Sequence, residues 1–255
     1  MPELPEAETI ARSLAPLVEG RSILNAEYPG RRVLRGPMPD LAGCKILHVA
    51  RHGKRIVLSL DNGSVLVSLG MTGALLVDAQ PGPYTRAIFT LSNRTLLFDD
   101  IRQFGNLRFL ASADESLGPD PLEITAADFT LGLRARRTAA KRLLLDQSFV
   151  RGLGNIYADE ALFRARIHPA APTDRMTPAR SARLHAAIVE LLNEAIAHRG
   201  SSISDYVDAQ GERGGFQLLH RVYRKQGQPC PACGTPIQRI VLAQRGTHFC
   251  PRCQR

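Results

Sequence analysis

The stretch CPACGTPIQRIVLAQRGTHFCPRC, residues 230–253, carries four of the five cysteines of the chain in two CxxC pairs separated by sixteen residues. This spacing is typical of a zinc site with four thiolate ligands on two knuckles. Two disulfides are disfavoured in a reducing cytosol, whereas an iron site would accept the same four ligands. Four protein ligands leave no coordination position open for chemistry. We therefore predict one structural zinc ion held by Cys230, Cys233, Cys250 and Cys253.

The region around these cysteines is strongly basic. No Asp or Glu occurs from Gly214 to Arg255, whereas seven Lys and Arg residues do, and the formal net charge of the chain is +9. Such a distribution indicates a polyanionic partner and favours nucleic acid. A small metal-pinned hairpin between the cysteine pairs could present Arg239 and Arg245 to a phosphate.

Upstream of the cysteines, sequence patterns divide the chain into a strand-rich part and a helical part. Short runs of Val, Ile, Leu and Phe between about residues 22 and 110 predict an antiparallel sandwich or barrel, and a helix precedes them. The proline- and glycine-rich segment 117–122 predicts a linker, and helical patterns follow it. We predict an α+β fold in four parts: a β-sandwich domain with an N-terminal helix (1–116), the linker (117–122), a helical domain (123–220) and a zinc finger (221–255).

The opening residues Met-Pro-Glu-Leu-Pro-Glu suggest a nucleophile. Removal of Met1 would leave the secondary amine of Pro2 at the N-terminus, and an α-amino group with a pKa of roughly 7.7 to 8 is partly unprotonated near neutral pH. The carboxylates of Glu3 and Glu6 could then donate or accept protons beside it. The same residues also suit an ordinary helix start, with Pro5 at the first helical position. Taken alone, the hexapeptide favours the helix start.

Three motifs far apart in the chain resemble one family. Met-Pro-Glu-Leu-Pro-Glu (1–6), Gly-Asn-Ile-Tyr-Ala-Asp-Glu (154–160) and Arg-Gly-Thr-His-Phe-Cys-Pro-Arg-Cys (245–253) look like the bacterial formamidopyrimidine-DNA glycosylases. The resemblance implies a monomeric enzyme of base excision repair that acts on double-stranded DNA. Proteins of this family remove oxidised purines, above all 8-oxoguanine and formamidopyrimidines, and cut the backbone on both sides of the abasic site. The resemblance also implies a helix-two-turn-helix DNA-binding domain within 123–220.

The same resemblance assigns the chemistry to the N-terminal residues. The Pro2 amine would attack C1′ of the damaged nucleotide, and the resulting Schiff base would promote β-elimination and then δ-elimination. Glu3 matches the acid that protonates the sugar ring oxygen. Glu6 matches a second carboxylate near the lesion. Lys54 matches a lysine at a turn that contacts backbone phosphate, although a lysine in such a turn is more often a solvated surface charge.

Five further residues match the family's DNA-binding positions. Met71, Arg102 and Phe104 correspond to side chains that fill the space left by the extruded base. Asn155 and Arg245 correspond to residues that grip phosphates. Composition alone would instead place Met71 and Phe104 in a core, make Asn155 a helix cap and leave Arg245 as a solvated charge.

The segment after Gly200 matches the loop that recognises the flipped purine. The residues that the resemblance places in this loop are Ser201 and, through their backbone amides, Ile203, Ser204, Asp205 and Tyr206. Taken alone, the segment predicts a plain surface loop that follows a helix stop.

Two departures from the family and two alternatives qualify this prediction. The family usually has histidine where this chain has Ser68 and Tyr84, and the change at Ser68 could remove one phosphate contact. An endonuclease VIII-like enzyme for oxidised pyrimidines is one alternative, although those relatives usually carry glycine in place of Leu4. A non-catalytic zinc-ribbon protein that binds nucleic acid would explain the basic region but not the opening hexapeptide. The sequence has neither a membrane-length apolar run nor a signal peptide, so we expect a cytoplasmic protein.

Overall fold

The computed structural model describes residues 2–111, 117–203 and 205–255. The chain divides into two compact units, Met1–Glu115 with Ile196–Gln217, and Ser116–Ala195 with Leu218–Arg255. This division differs from the sequence-based ranges, which place all of 123–220 in one helical domain. Residues 196–217 group with the first unit because Tyr206 and Ala209 pack in its core and the Val77 N–H donates to the Ala209 carbonyl at 3.1 Å.

The first unit is an N-terminal helix followed by two antiparallel sheets. The elements are α1 (Leu4–Val18), β1 (Ile23–Glu27), β2 (Ile46–His52), β3 (Arg55–Leu60), β4 (Gly63–Ser68), β5 (Gly73–Val77), β6 (Thr85–Leu91), β7 (Thr95–Asp100) and β8 (Asn106–Leu110). The strand orders of the two sheets are β1-β6-β7-β5 and β2-β3-β4-β8. The predicted combination of helix and antiparallel β-sandwich is confirmed.

The core of this unit follows from the periodicity of its elements. In β6, Ala87, Phe89 and Leu91 are buried while the residues between them are only partly so, as expected where one sheet face packs inward. On α1, Ile10 and Leu14 are fully buried in the same cluster. Burying such side chains contributes roughly 1.5–3 kcal/mol each. This core provides a rigid base for the N-terminal residues.

The second unit contains helices and a two-stranded hairpin. A serine or threonine cap is visible at two helix starts: the Asp128 N–H donates to Thr125 Oγ1 at 3.1 Å, and the Arg180 N–H donates to Thr177 Oγ1 at 3.3 Å. The elements are α2 (Ala126–Arg134), α3 (Ala140–Leu144), α4 (Asn155–Arg164), α5 (Pro178–Ala197, which ends in the first unit), β9 (Gln238–Leu242) and β10 (Arg245–Phe249). The predicted helical part and C-terminal hairpin are confirmed.

Within the described part of the chain, no helix combines the length and the apolar character that crossing a membrane would require.

Candidate active site and nucleic-acid interface

The N-terminal turn brings three predicted residues together in a buried position. Pro2, Glu3 and Glu6 are all buried. The Glu3 backbone N–H donates to Glu6 Oε2 at 2.7 Å, so the Glu6 carboxylate caps the start of α1. The helix begins at Leu4, which makes Pro5 its second residue rather than its first. The ordinary helix start therefore exists, and it is what fixes both carboxylates beside Pro2.

The Glu6 carboxylate also holds the segment that follows α5. Its Oε1 accepts the Ser201 backbone N–H at 2.7 Å. The backbone of Gly200 has a φ of +74°, and a Cβ there would lie 2.8 Å from Glu6 Oε1. Glycine at 200 thus satisfies both the left-handed backbone and the close approach of the carboxylate. One side chain therefore joins the N-terminal turn to a segment far away in the sequence.

Tyr206 lies against the same segment. Its hydroxyl donates to the Arg199 carbonyl at 3.1 Å, and its ring belongs to the core of the first unit. Burial and the negative charge of Glu6 both raise the pKa of Tyr206, so the phenol stays protonated at neutral pH. Of the other predicted loop residues, Ile203 is half-buried and Asp205 is exposed, while Ser204 lies outside the described residues.

Met71, Arg102 and Phe104 are exposed on two turns of the first unit. Met71 is 40% exposed and Phe104 is 54% exposed, so their placement in a core, suggested by composition alone, is wrong. The Arg102 guanidinium carbon lies 4.7 Å from the centroid of the Phe104 ring, within range of a cation–π contact. Ile101, also half exposed, lies next to Arg102, and sequence reasoning did not select it.

Lys54 lies in the two-residue turn between β2 and β3. Gly53 precedes it with a φ of +64°, and His52 pairs with Arg55 across the turn. In the next strand pair Ser68 lies opposite Arg55, so the departure at Ser68 falls at the same end of the sheet as Lys54. The lysine is half-buried in this turn.

Asn155 is the first residue of α4 and does not cap it, because Gly154 occupies the cap position. Its Nδ2 donates to the Gly246 carbonyl at 3.1 Å. Its Oδ1 is buried and accepts no hydrogen bond from any residue that the structure describes. Asn155 lines a cavity of about 430 Å³ together with the basic side chains of Arg224 and Arg239. A cavity with this lining suits a phosphate group.

The hairpin that carries Arg245 has a tight turn. Ala243 and Gln244 have φ values of 50° and 58°, as in the mirror-image turns that match the twist of two-stranded ribbons. Arg245 follows as the first residue of β10 and is exposed. The next three residues of the strand, Gly246, Thr247 and His248, are hydrogen-bonded to side chains of α3 and α4.

A buried network fixes this hairpin, and sequence reasoning missed it. Lys141 Nζ lies 2.6 Å from Asp159 Oδ1 and donates to Thr247 Oγ1 at 2.8 Å. Asp159 Oδ2 accepts the His248 backbone N–H at 2.9 Å. Lys141 and Asp159 are fully buried, and a buried ion pair requires such additional hydrogen bonds to be tolerated.

The next residue of α4 fixes the chain that leads into the hairpin. The Glu160 carboxylate is fully buried and accepts backbone N–H groups of Arg221, Val222 and Tyr223 at 2.8 to 3.0 Å. Helix α4 thus presents Asn155 at its first turn, while Asp159 holds the strand that carries Arg245 and Glu160 holds residues 221–223.

The four predicted metal ligands converge on one point. Their sulfur atoms all lie within 4.8 Å of one another, with 3.9 Å between Cys230 and Cys253 and 3.5 Å between Cys233 and Cys250. A tetrahedral zinc ion with Zn–S bonds of about 2.3 Å requires sulfur separations of about 3.8 Å. A disulfide would require about 2.05 Å, so these cysteines are not paired as disulfides. The sulfur positions fit a single zinc ion.

Comparisons with known proteins cover the same three regions. The model of the formamidopyrimidine-DNA glycosylase N-terminal domain matches residues 1–107, that of the formamidopyrimidine-DNA glycosylase H2TH domain matches 117–207, and that of the zinc finger found in FPG and IleRS matches 227–255. The formamidopyrimidine-DNA glycosylase of Solibacter usitatus is 53% identical over 100% of both chains. That of Thermus thermophilus is 46% identical over 100% of this chain and 98% of its own.

Solved structures agree with these matches. The crystal structure of the MutM (FPG) protein from Thermus thermophilus superposes with a TM-score of 0.90 at 43% identity, covering 99% of this chain and 98% of its own. A complex between a Lactococcus lactis FPG mutant and a Fapy-dG containing DNA superposes with a TM-score of 0.91 at 33% identity, covering 100% of both chains. A complex of Lactococcus lactis Fpg with DNA containing an abasic site gives 0.90 at 33% identity over 99% of both chains.

Proposed function

The chain belongs to the formamidopyrimidine-DNA glycosylase family, and on this premise we propose how its residues act on DNA. The protein is a DNA glycosylase and AP lyase of base excision repair, and its partner is double-stranded DNA that contains oxidised bases or abasic sites. The names of its relatives favour oxidised purines over the pyrimidines of an endonuclease VIII-like enzyme. The alternative of a non-catalytic zinc-ribbon protein is wrong, because a glycosylase domain matches residues 1–107.

The observation that carries the proposed mechanism is the buried Pro2 beside Glu3 and Glu6. With Met1 removed, the Pro2 nitrogen forms a bond to C1′ while the bond from C1′ to the damaged base breaks. The base leaves with the electron pair of that bond and takes up a proton, and the Pro2 nitrogen loses one. Glu3 gives a proton to the ring oxygen as the C1′–O4′ bond opens, which leaves an iminium ion. The iminium acidifies the C2′–H bond, and loss of that proton expels the 3′ phosphate by β-elimination. Loss of the C4′ proton from the conjugated product then expels the 5′ phosphate by δ-elimination.

We assign Glu6 to the positioning of the loop that recognises the lesion. Its two oxygens bind the N–H groups of Glu3 and Ser201, so the recognition segment and the nucleophile share one anchor. Ser201 and the amides of residues 203–206 then contact the flipped base. A common anchor keeps the flipped base aligned with the Pro2 amine, and the rate of the reaction is very sensitive to that alignment.

Replacing Gly200 with alanine should disturb this anchor. A Cβ at 200 would meet Glu6 Oε1 at 2.8 Å and would sit on a backbone with a φ of +74°. We expect Gly200→Ala to lower the free energy of unfolding by at least about 1–2 kcal/mol and the single-turnover excision rate by roughly tenfold or more. Urea unfolding and excision of 8-oxoguanine from a duplex measure the two effects.

Gly211→Ala is the matched control for this change. Gly211 has a φ of +84° and no atom within 4 Å of its added Cβ, so alanine there incurs the backbone cost alone. Excision should remain near the wild-type rate in Gly211→Ala. Equal effects of the two variants on excision would show that the position of Glu6 does not depend on Gly200.

We assign DNA binding to two sets of residues. Met71, Arg102 and Phe104 fill the space of the extruded base, which offsets part of the few kcal/mol that extrusion costs. Lys54, Asn155 and Arg245 bind phosphates. The exposure of the first three supports the first assignment, and the basic cavity beside Asn155 supports the second.

The exposed Arg245 should contribute one counterion to the salt dependence of binding. Binding of a duplex with an abasic-site analogue, followed by fluorescence anisotropy between about 50 and 200 mM salt, gives the slope of log K against log salt concentration. We expect Arg245→Ala to reduce the magnitude of that slope by about 1. Arg134→Ala, at an exposed position of α2, removes the same charge and should leave the slope unchanged. If both variants give the same slope, Arg245 does not contact phosphate.

One structural zinc ion is held by Cys230, Cys233, Cys250 and Cys253. The bound ion fixes the hairpin and does not bind substrate, since four thiolates leave no open coordination position. We further propose that the enzyme acts in the cytoplasm, where reduced thiols are available to the metal.

A further inference from the structure

The exposed side chains of Met71 and Phe104 raise a physical question. Exposed apolar side chains forgo the stabilisation that burial would give, and their own packing cannot hold them in place. They project from two turns, residues 69–72 between β4 and β5 and residues 101–105 between β7 and β8. Something other than hydrophobic packing must therefore fix these turns.

A single buried carboxylate reaches both turns. Asp100 is 1% exposed, its Oδ1 accepts the Thr72 hydroxyl at 2.5 Å, and its Oδ2 accepts the Gly105 N–H at 2.7 Å. Thr72 Oγ1 in turn accepts the Arg102 N–H at 3.0 Å. The Thr72 hydroxyl thus connects Asp100 to Arg102, whose guanidinium is exposed. Hydrogen bonds to an ionised acceptor are stronger than those between neutral groups.

The two turns also meet backbone to backbone. Gly70 has a φ of +59°, and a Cβ there would lie 2.6 Å from the Gly105 nitrogen and from the Phe104 carbonyl carbon. Asp100 itself is fixed at the end of β7, where it pairs with Gly73 and donates its N–H to the Tyr84 carbonyl at 2.9 Å. A rigid strand end thus presents the carboxylate to both turns.

We propose that Asp100 is a positioning residue that, with Thr72 as its relay, sets the relative geometry of Met71, Arg102 and Phe104 before DNA binds. The inference rests on the proposed function, in which these three side chains fill the space of the extruded base. Groups that are ordered in advance lose less conformational entropy on binding. Loss of the contacts should therefore impair base extrusion and leave the amine chemistry of Pro2 intact.

Thr72→Val tests this with little change of shape, because it removes only the hydroxyl that joins Asp100 to Arg102. Asp100→Asn keeps the size but replaces an acceptor with a donor. The substrate is a duplex with 8-oxoguanine beside 2-aminopurine, whose fluorescence reports the disturbed stack. We expect each variant to lower the fluorescence amplitude and to slow single-turnover excision about tenfold. Elimination at a preformed abasic site, where no base is extruded, should change less than about twofold.

Two further variants and the wild type separate the outcomes. Thr72→Ser should restore the wild-type values, and Thr90→Val, at the opposite end of the β6–β7 pair, should not alter them. A wild-type protein that neither excises 8-oxoguanine nor changes the fluorescence would contradict the proposed function itself. If Thr72→Val and Asp100→Asn both excise 8-oxoguanine at the wild-type rate, Asp100 does not have the proposed role. The same holds if excision and elimination at the abasic site slow down equally. If Asp100→Asn does not fold, the result for Thr72→Val alone tests the role of Asp100.

Discussion

A protein extended by a tag ahead of Pro2 should form no covalent complex with DNA. Borohydride should trap an adduct between the mature protein and a duplex containing 8-oxoguanine, because the secondary amine forms an iminium that hydride reduces. The tag converts that amine into an amide nitrogen, which is not a nucleophile. We expect trapping to be abolished by the tag and weakened by Pro2→Gly, which replaces the secondary amine with a primary amine. Gel electrophoresis of the reduced mixture measures the adduct.

Two controls make this result specific to the amine. Intact mass must show that Met1 is absent from the mature protein, since a retained Met1 blocks Pro2 in the same way as a tag. A tag placed after Arg255 should not affect trapping. Because Pro2 is buried, binding of the N-terminally tagged protein to an abasic-site analogue must be measured in parallel. Trapping by the tagged protein at the wild-type level would show that another group is the nucleophile.

The helix start and the nucleophile illustrate how far sequence reasoning reaches. From the sequence they are two competing interpretations of residues 1–6, and the hexapeptide alone favours the helix start. The structure shows that Glu6 serves the helix start by accepting the Glu3 N–H, and the same hydrogen bond fixes a carboxylate beside Pro2. Local capping signals therefore predicted a helix start at these residues, although they placed Pro5 one position too early and did not predict the hydrogen bond between Glu3 and Glu6. They could not predict that Glu6 also binds Ser201, because no local pattern relates residues so far apart in sequence.

The same limit explains the division into units. Cysteine spacing and strand alternation are local signals, and the zinc site and the sandwich follow from them. Residues 196–217 carry no local signal for the unit that they join. Their place depends on contacts such as Tyr206 in the core of the first unit, which only the folded chain reveals.

Composition misplaced Met71 and Phe104 for a different reason. Large apolar side chains are usually buried, and that tendency is correct for most of this chain. An exposed pair is an exception that needs a polar framework to hold it, and here the framework is a buried aspartate. A hydrophobicity pattern shows neither the exposure of the pair nor the burial of the aspartate, since both depend on which turns lie next to each other in the fold. The resemblance to a family, and not periodicity, selected these two residues for a role at the surface, where the structure places them.

Loss of the zinc ion should abolish tight DNA binding. The metal joins two knuckles around a small cluster that contains Phe163, Val222 and Ile237, too little apolar surface to fold this segment unaided. The hairpin carries Arg245 and also Gly246, whose carbonyl accepts the Asn155 side chain. We expect Cys250→Ser to lose the metal and to weaken binding of an abasic-site duplex roughly a hundredfold, because several phosphate contacts fail together. Metal analysis and a binding titration on the same preparation measure both.

The fifth cysteine supplies the control, and trapping distinguishes a structural metal from a catalytic one. Cys44 lies outside the sulfur cluster, so Cys44→Ser should keep one zinc per chain and full affinity. A structural metal holds the DNA contacts and leaves Pro2 unaltered. Borohydride trapping by Cys250→Ser should therefore return when protein and DNA concentrations are raised enough to restore binding. Full affinity in a metal-free preparation would contradict the structural role, and absence of trapping on fully bound DNA would give the metal a part in the chemistry.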